Sequence, residues 1–159
     1  MLLEPTALRM RVATFAAGLW LTYVVCCTSM VYVAFTWQRP HRVFLAVLFL
    51  TGTAGAMAIA QLPRERVVRS AYREVFFLAW SMLDLALIAL AALADGGTGS
   101  PLALIFFIPV VFAAMSYPLK SVAFVGGVTV IVYMAIAISI GGASWAYQAL
   151  FAVMLSDAP

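Results

Sequence analysis

Charge is what this sequence has least of. Asp, Glu, Lys and Arg make up 9% of its 159 residues, against roughly 25% in a soluble domain. Hydrophobic residues make up 66%. A water-soluble fold of this size cannot hide so much apolar surface, so lipid must be the solvent. Histidine occurs once, at His41, which argues against a His-based metal site within one chain. The two cysteines, Cys26 and Cys27, are adjacent. Neighbouring helical residues point about 100° apart, so a bond between them would be strained and a structural disulfide is not expected. Eight methionines invite a copper reading, because soft sulfur suits Cu(I). Yet Met30, Met57, Met82, Met115 and Met134 are scattered, with no Met-x-x-Met or Cys-x-x-Cys unit. There is no phosphate-binding Gly-rich loop before a helix, no nucleophile elbow and no His-Glu-x-x-His. No catalytic residue, metal or cofactor is expected from these residues. Low-complexity tracts are missing, and no internal repeat suggests an inverted-repeat transporter.

What the chain does have is six apolar stretches, at about 13–36, 43–61, 76–95, 102–117, 121–140 and 144–157. Crossing the hydrocarbon takes about 20 apolar residues at 1.5 Å each. Closed backbone hydrogen bonding makes helices the form for such runs, and the alternation of a barrel strand is missing. The expected fold is therefore all-α, a polytopic membrane bundle of six helices forming one domain over residues 1–159. The run after Arg9 and Arg11 is too long for a signal peptide and reads as an uncleaved anchor.

The loops orient the bundle. With the N-terminus inside, the inner segments hold Arg9, Arg11, Arg64, Arg66, Arg69, Arg73 and Lys120, and the outer ones hold Arg39 and Arg42. Seven against two is a positive-inside bias, and an even number of spans returns the C-terminus to the cytoplasm. Trp37 and Trp145 then fall at the outer interface, Tyr72 and Tyr117 at the inner one. The net charge of +3 is thus explained by topology and by anionic inner-leaflet lipid rather than by nucleic acid. The turns Asp95-Gly-Gly-Thr-Gly-Ser100 and Gly141-Gly-Ala-Ser144 read as short and flexible.

Between Arg64 and Ala94 there is no Gly or Pro. The third span is expected to begin as a cytoplasmic helix and to run on into the membrane. On its water-side turns Val67, Val68, Ala71, Tyr72 and Val75 form an apolar face ringed by Arg64, Arg66, Arg69 and Arg73. That helix reads as an orientation signal lying in the headgroups, or as a coupling element touching a cytoplasmic output domain.

Asp84 is the one ionisable residue deep in a span. A carboxylate there costs about 2.5–3.5 kcal/mol on insertion scales and is a functional candidate for that reason. Three readings stay open: helix glue through Thr51, Thr53, Thr22 or Tyr133, a ligand or cation contact, or proton transfer. The candidate ligand set is Asp84, Trp80, Tyr133, Thr22 and Cys26. Pro109, in mid-span, removes a hydrogen bond to the Ile105 carbonyl and should kink its helix as a hinge. Small residues at four-residue steps (Thr14, Gly18, Thr22 and Cys26; Gly52, Ala56 and Ala60; Ala123, Gly127, Ala135 and Ser139) read as packing seams, with homodimerisation through one of them as the alternative.

The stretch Phe107-Ile-Pro-Val-Val-Phe-Ala-Ala-Met-Ser-Tyr-Pro-Leu-Lys120 resembles a span-turn-span segment in the N-terminal membrane regions of actinobacterial GGDEF and GGDEF–EAL signalling proteins. There a Pro-bearing apolar helix runs into a Tyr-Pro-Leu-basic turn and then a Gly- and Val-rich helix, as at Val122–Ile140. The resemblance implies a sensor or anchor in a bacterial plasma membrane. Its cytoplasmic partner, in cis or in trans, would make cyclic di-GMP. The sequence departs from that family in having no Gly-Gly-Asp-Glu-Phe, so no catalytic residue carries over. The expected function is a sensory or anchoring module for an apolar or amphiphilic ligand or for membrane state. The rival is a small transporter or channel subunit using Asp84 for a cation or proton. The sixth stretch meets Asp157 and Pro159 early, at the expected cytoplasmic exit, where an output domain would attach.

Overall fold

Backbone groups in lipid have no water to bond, so each segment must close its hydrogen bonds on itself. The computed structural model describes residues 5–156, with side chains for residues 9–140 other than Ser116. Among them every regular element is helical: α1 Pro5–Phe35, α2 Arg42–Ala60, α3 Arg64–Arg69, α4 Arg73–Ala94, a 3₁₀ turn Gly97–Gly99, a 3₁₀ helix Pro101–Phe106, α5 Phe107–Ser116 and α6 Leu119–Ser156. Four stretches are long and apolar enough to cross a membrane: Arg9–Phe35, Arg42–Ala60, Arg73–Ala94 and Leu119–Ile140. A shorter apolar segment covers Pro101–Met115.

The central helix is α4, which touches α2, α3, α5, α6 and both 3₁₀ segments, while α1 pairs with α2 and α5 with α6. Three apolar clusters fill the seams. One joins Phe15, Leu19, Ala56, Val68 and Trp80. A second joins Val33, Leu45, Phe49, Ala91 and Leu102. The third joins Leu85, Ile88, Ala92, Phe106 and Ile136.

The structure departs from the sequence expectation in four places. The helix expected to run on from Arg64 breaks at Ser70, whose backbone is extended (φ −63°, ψ 145°). The Ser70 hydroxyl accepts the Tyr72 N–H at 3.1 Å, a local bond that competes with helix continuation. Only Val68 of the expected apolar face is buried, against α1 and α4, and Tyr72 and Val75 are exposed.

Pro109 does not kink a continuous helix. The six residues before α5 wind as 3₁₀, and Pro109 falls in the first turn of α5, where a helical N–H has no intrahelical partner to lose. The looser rise of 3₁₀ winding also lengthens this segment. At about 2.0 Å and 1.5 Å per residue, the 3₁₀ helix and α5 together reach roughly 27 Å, close to the hydrocarbon thickness.

The turn expected at residues 141–144 is helical, and α6 runs unbroken from Leu119 to Ser156. Glycine weakens a helix by about 1 kcal/mol per residue but does not end it, and no proline follows to force a stop. Asp157 and Pro159 lie outside the described residues.

The fourth departure is the Asp95–Ser100 turn, which is tied down rather than free. Gly96 and Gly97 take φ values of 107° and 76°, open to glycine without strain. The Asp95 side chain is 1% exposed and pairs with Arg42, itself 3% exposed, at 2.5 Å. Tyr32 donates to the other carboxylate oxygen at 2.8 Å, and Ser100 donates to it as well. The Ser100 oxygen accepts the Leu102 N–H at 3.0 Å, starting the 3₁₀ helix. Arg42 also donates from Nε to the Thr36 carbonyl at 3.0 Å and lies over the Tyr32 ring. Arg42 therefore serves as a structural group as well as a topological signal.

Burial works against ionisation of Asp95, but the bonds from Ser100, Tyr32 and Arg42 and the Arg42 charge together hold its carboxyl below the usual value. A depressed folded pKa gives stability that is complete above the unfolded value of about 3.9 and lost as pH falls through the folded one. This pair should therefore contribute evenly across pH 5–8. Asp95→Ala strands a buried guanidinium and should cost about 3–5 kcal/mol, while Arg42→Met with Asp95→Leu should recover most of it. Thermal unfolding in detergent checks both. Equal loss in the single and double variants would remove the pair from this role.

Candidate functional site

The in-span threonines near Asp84 bond their own helices, whereas the buried Ser29 hydroxyl on α1 meets no partner among the described residues. Thr22 donates to the Gly18 carbonyl at 3.1 Å, Thr51 to Val47 at 2.8 Å and Thr53 to Phe49 at 2.8 Å. A hydroxyl has one proton to give, so none of these three donates to Asp84. Tyr133, the fourth proposed glue partner, packs edge-on against Phe106 with centroids 5.8 Å apart, and is 37% exposed. Asp84 is thus not glue through any of the four. Trp80, one turn before it on α4, lines the same cavity as Asp84.

The carboxylate faces a cavity of about 60 Å³ between α1, α2, α4 and the 3₁₀–α5 segment. Thr22, Cys26, Trp80, Asp84 and Pro109 all line it. Four of the five expected ligand residues and the expected hinge are thereby brought to one place, and Tyr133 is not. Apart from Ser81 and the glycines, the remaining walls, including Leu21, Phe49, Leu87, Ile105 and Ile108, are apolar.

Two glycines allow this geometry. A Cβ on Gly18 would stand 2.9 Å from Cζ of Phe112, so the Phe112 ring reaches α1 only because Gly18 has no side chain. A Cβ on Gly52 would stand 3.4 Å from Sγ of Cys26. The first two small-residue rows thus face packed neighbours. The third does not: Ala123, Gly127, Ala135 and Ser139 are all exposed.

One end of the cavity is closed by Ser81, whose hydroxyl lies 2.7 Å from that of Tyr117. Tyr117 donates to the Phe77 carbonyl at 2.7 Å, so Ser81 is the donor between the two hydroxyls. Phe15, Phe76, Phe77 and Trp80 form an aromatic cluster beside it, with centroid separations from 5.7 to 6.5 Å.

The basic residues divide. Arg64, Arg66 and Arg69 are exposed on α3. Arg73 is half-buried and borders a second, larger cavity at the same end of the bundle. Among the described residues no group of three or more His, Cys, Asp and Glu stands close enough to hold a metal ion.

The sequence reading missed the Arg42–Asp95 pair. A signal was present: α2 opens with one charge and α4 closes with the opposite one, so two antiparallel spans place them at one depth. It also missed Phe112, for which an apolar run offers no marker.

Comparison with family models, curated proteins and solved structures finds no match for the chain. Nothing in these comparisons bears on the expected resemblance to GGDEF-associated membrane regions.

Gly18→Val should push Phe112 aside and destabilise the bundle by about 1–3 kcal/mol. Gly55 has nothing within 4 Å of a Cβ, so Gly55→Ala should be neutral or stabilising by up to about 1 kcal/mol. Thermal midpoints of the two variants in one detergent give the comparison. Equal midpoints would mean that the Gly18–Phe112 contact does not hold α5 against α1.

Proposed function

We propose that the chain is a membrane-embedded sensory module of a bacterial signalling protein, one that takes a small amphiphile into the Asp84 cavity. The observation that carries this reading is a carboxylate on an apolar cavity that four helical segments close together. An apolar wall with one acidic group suits a ligand with a short hydrocarbon part and a cationic or hydrogen-bond-donating head. Such a head would offset the cost of the carboxylate in hydrocarbon. The cavity borders Pro109, where 3₁₀ winding gives way to α. A ligand there would favour one winding of that segment over another, and α5 would pass the difference to α6 along their shared face. A cyclic di-GMP-forming output domain remains the proposed partner, on the strength of residues 107–120.

The proposed topology has the N-terminus in the cytoplasm. The Lys/Arg count of seven inner against two outer residues supports this orientation. A straight helix of 38 residues would be about 57 Å long, roughly twice the hydrocarbon thickness. The apolar residues after Gly142 would then stand in water. Six crossings with both ends inside would require α6, a continuous helix over this stretch, to bend back at Gly141–Gly142 in the bilayer, and a reporter fusion tests this.

The rival reading, a transporter or channel subunit, has less support. The in-span threonines described above bond their own helices, which leaves few polar groups to line a path.

In nanodiscs, a short-chain alkylammonium such as propylammonium should raise the thermal midpoint of the wild type but not of Asp84→Asn. Joined to a diguanylate cyclase domain, the wild type should change its output with that ligand and Asp84→Asn should not. Identical behaviour of the two proteins would refute the reading. Cation flux in liposomes that disappears in Asp84→Asn would establish the rival. A reporter fused after residue 159 should be cytoplasmic, and a periplasmic reporter would mean five crossings.

A further inference from the structure

The second cavity, about 310 Å³, lies between the start of α1, α3, the start of α4 and the Tyr117–Pro118 turn. Two arginines, Arg11 and Arg73, and one acidic residue, Glu74, border it. Glu74 does not close the site. Its side chain is 60% exposed and stands 3.6 Å from Arg73, a loose contact. Among the described residues Arg11 has no such neighbour. Its Nη1 is shut off from solvent and meets no hydrogen-bond partner among the described residues. A buried donor left unpaired costs about 1–3 kcal/mol, and more when charged. Such a group calls for an explanation, of which an absent anion is one.

The neighbouring hydroxyls do not supply it. Thr14 donates to the Met10 carbonyl at 3.0 Å, and Tyr117 donates to the Phe77 carbonyl at 2.7 Å. The donors still available are those of the two arginines.

We infer that this cavity is a binding site for a phosphoryl anion, gripped by Arg11 and Arg73. The planar guanidinium fork matches phosphate oxygens, two donors to two acceptors. Arg64, Arg66, Arg69 and Lys120 lie on segments at the same end and add positive field. Val68, Phe77 and Pro118 complete the wall with apolar surface, which suits the glycerol side of a phospholipid headgroup. A soluble phosphate ester has the same anionic chemistry. The site is separate from the Asp84 cavity and does not depend on what that cavity binds.

Two sets of nanodiscs separate the sources. In phosphatidylcholine discs, inorganic phosphate is compared with chloride at equal ionic strength. In phosphatidylglycerol discs no phosphate is added. A thermal midpoint raised by either source, and no longer raised in Arg11→Gln, supports the site and names the ligand. Arg39→Gln, exposed in the α1–α2 connection at the opposite end of the bundle, should respond as the wild type does. Native mass spectrometry of the wild type gives a second measure. One anionic lipid or phosphate should survive delipidation, with at least tenfold lower occupancy in Arg73→Gln. If Arg11→Gln does not fold, this second pair of proteins decides the question. No shift from either source, or the same shift and occupancy in the arginine variants, overturns the inference.

Discussion

At one end of the bundle, the salt bridge between Arg42 and Asp95 sets how the helices stand against each other. It joins the start of α2 to the end of α4. Tyr32 brings α1 into the same cluster, and Ser100 brings in the 3₁₀ helix that leads to α5. The salt bridge therefore fixes a depth as well as a contact. Counting from Arg42, Gly52 lies about 15 Å along α2, and Asp84 lies about 16 Å back along α4 from Asp95. Gly52 and Asp84 thus stand at one level, and both line the same cavity. A slip of one turn in α2 against α4 would pull them apart and break the pair at the same time.

The two aspartates of α4 and its cap show how setting decides chemistry. Asp95 has donors from three side chains and no unmet need. Asp84 has an indole one turn away and otherwise hydrocarbon. The same side chain is a closed structural joint in one place and an open acceptor in the other. Three threonines sharpen the contrast by bonding their own helices, so they donate nothing to Asp84.

The sequence reading was reliable where burial energy alone decides. The first three spans, expected at about 13–36, 43–61 and 76–95, meet Arg9–Phe35, Arg42–Ala60 and Arg73–Ala94 within a few residues. Asp84 stood out because a carboxylate in an apolar run is costly wherever it points. Its surroundings were not legible, because a threonine hydroxyl can bond its own helix or another, and only packing chooses. The break at Ser70 turns on one hydroxyl accepting one N–H, which hydrophobic periodicity does not register. Nor does periodicity separate 3₁₀ from α winding at Pro101–Phe106, where capping by Ser100 and the position of Pro109 decide. Arg42 was counted as a topological charge because loops were read one at a time. The pair appears only when opposite ends of two spans are compared.

The two cavities share a boundary. Ser81 lines the first, Phe77 and Tyr117 line the second, and the three are joined by two hydrogen bonds of 2.7 Å. Tyr117 sits where α5 gives way to the turn before α6. An anion that drew the Tyr117 ring toward Arg11 would pull on Ser81, one turn from Asp84 on the same helix. By linkage, whatever free energy one occupant adds to the other's binding must be returned in full when the order is reversed. A bundle with one wall between the two cavities therefore has a physical route by which an occupant of one, if bound, would affect binding in the other. The route is local: a phenol, a serine and a carbonyl, held in place by the aromatic cluster of Phe15, Phe76 and Trp80.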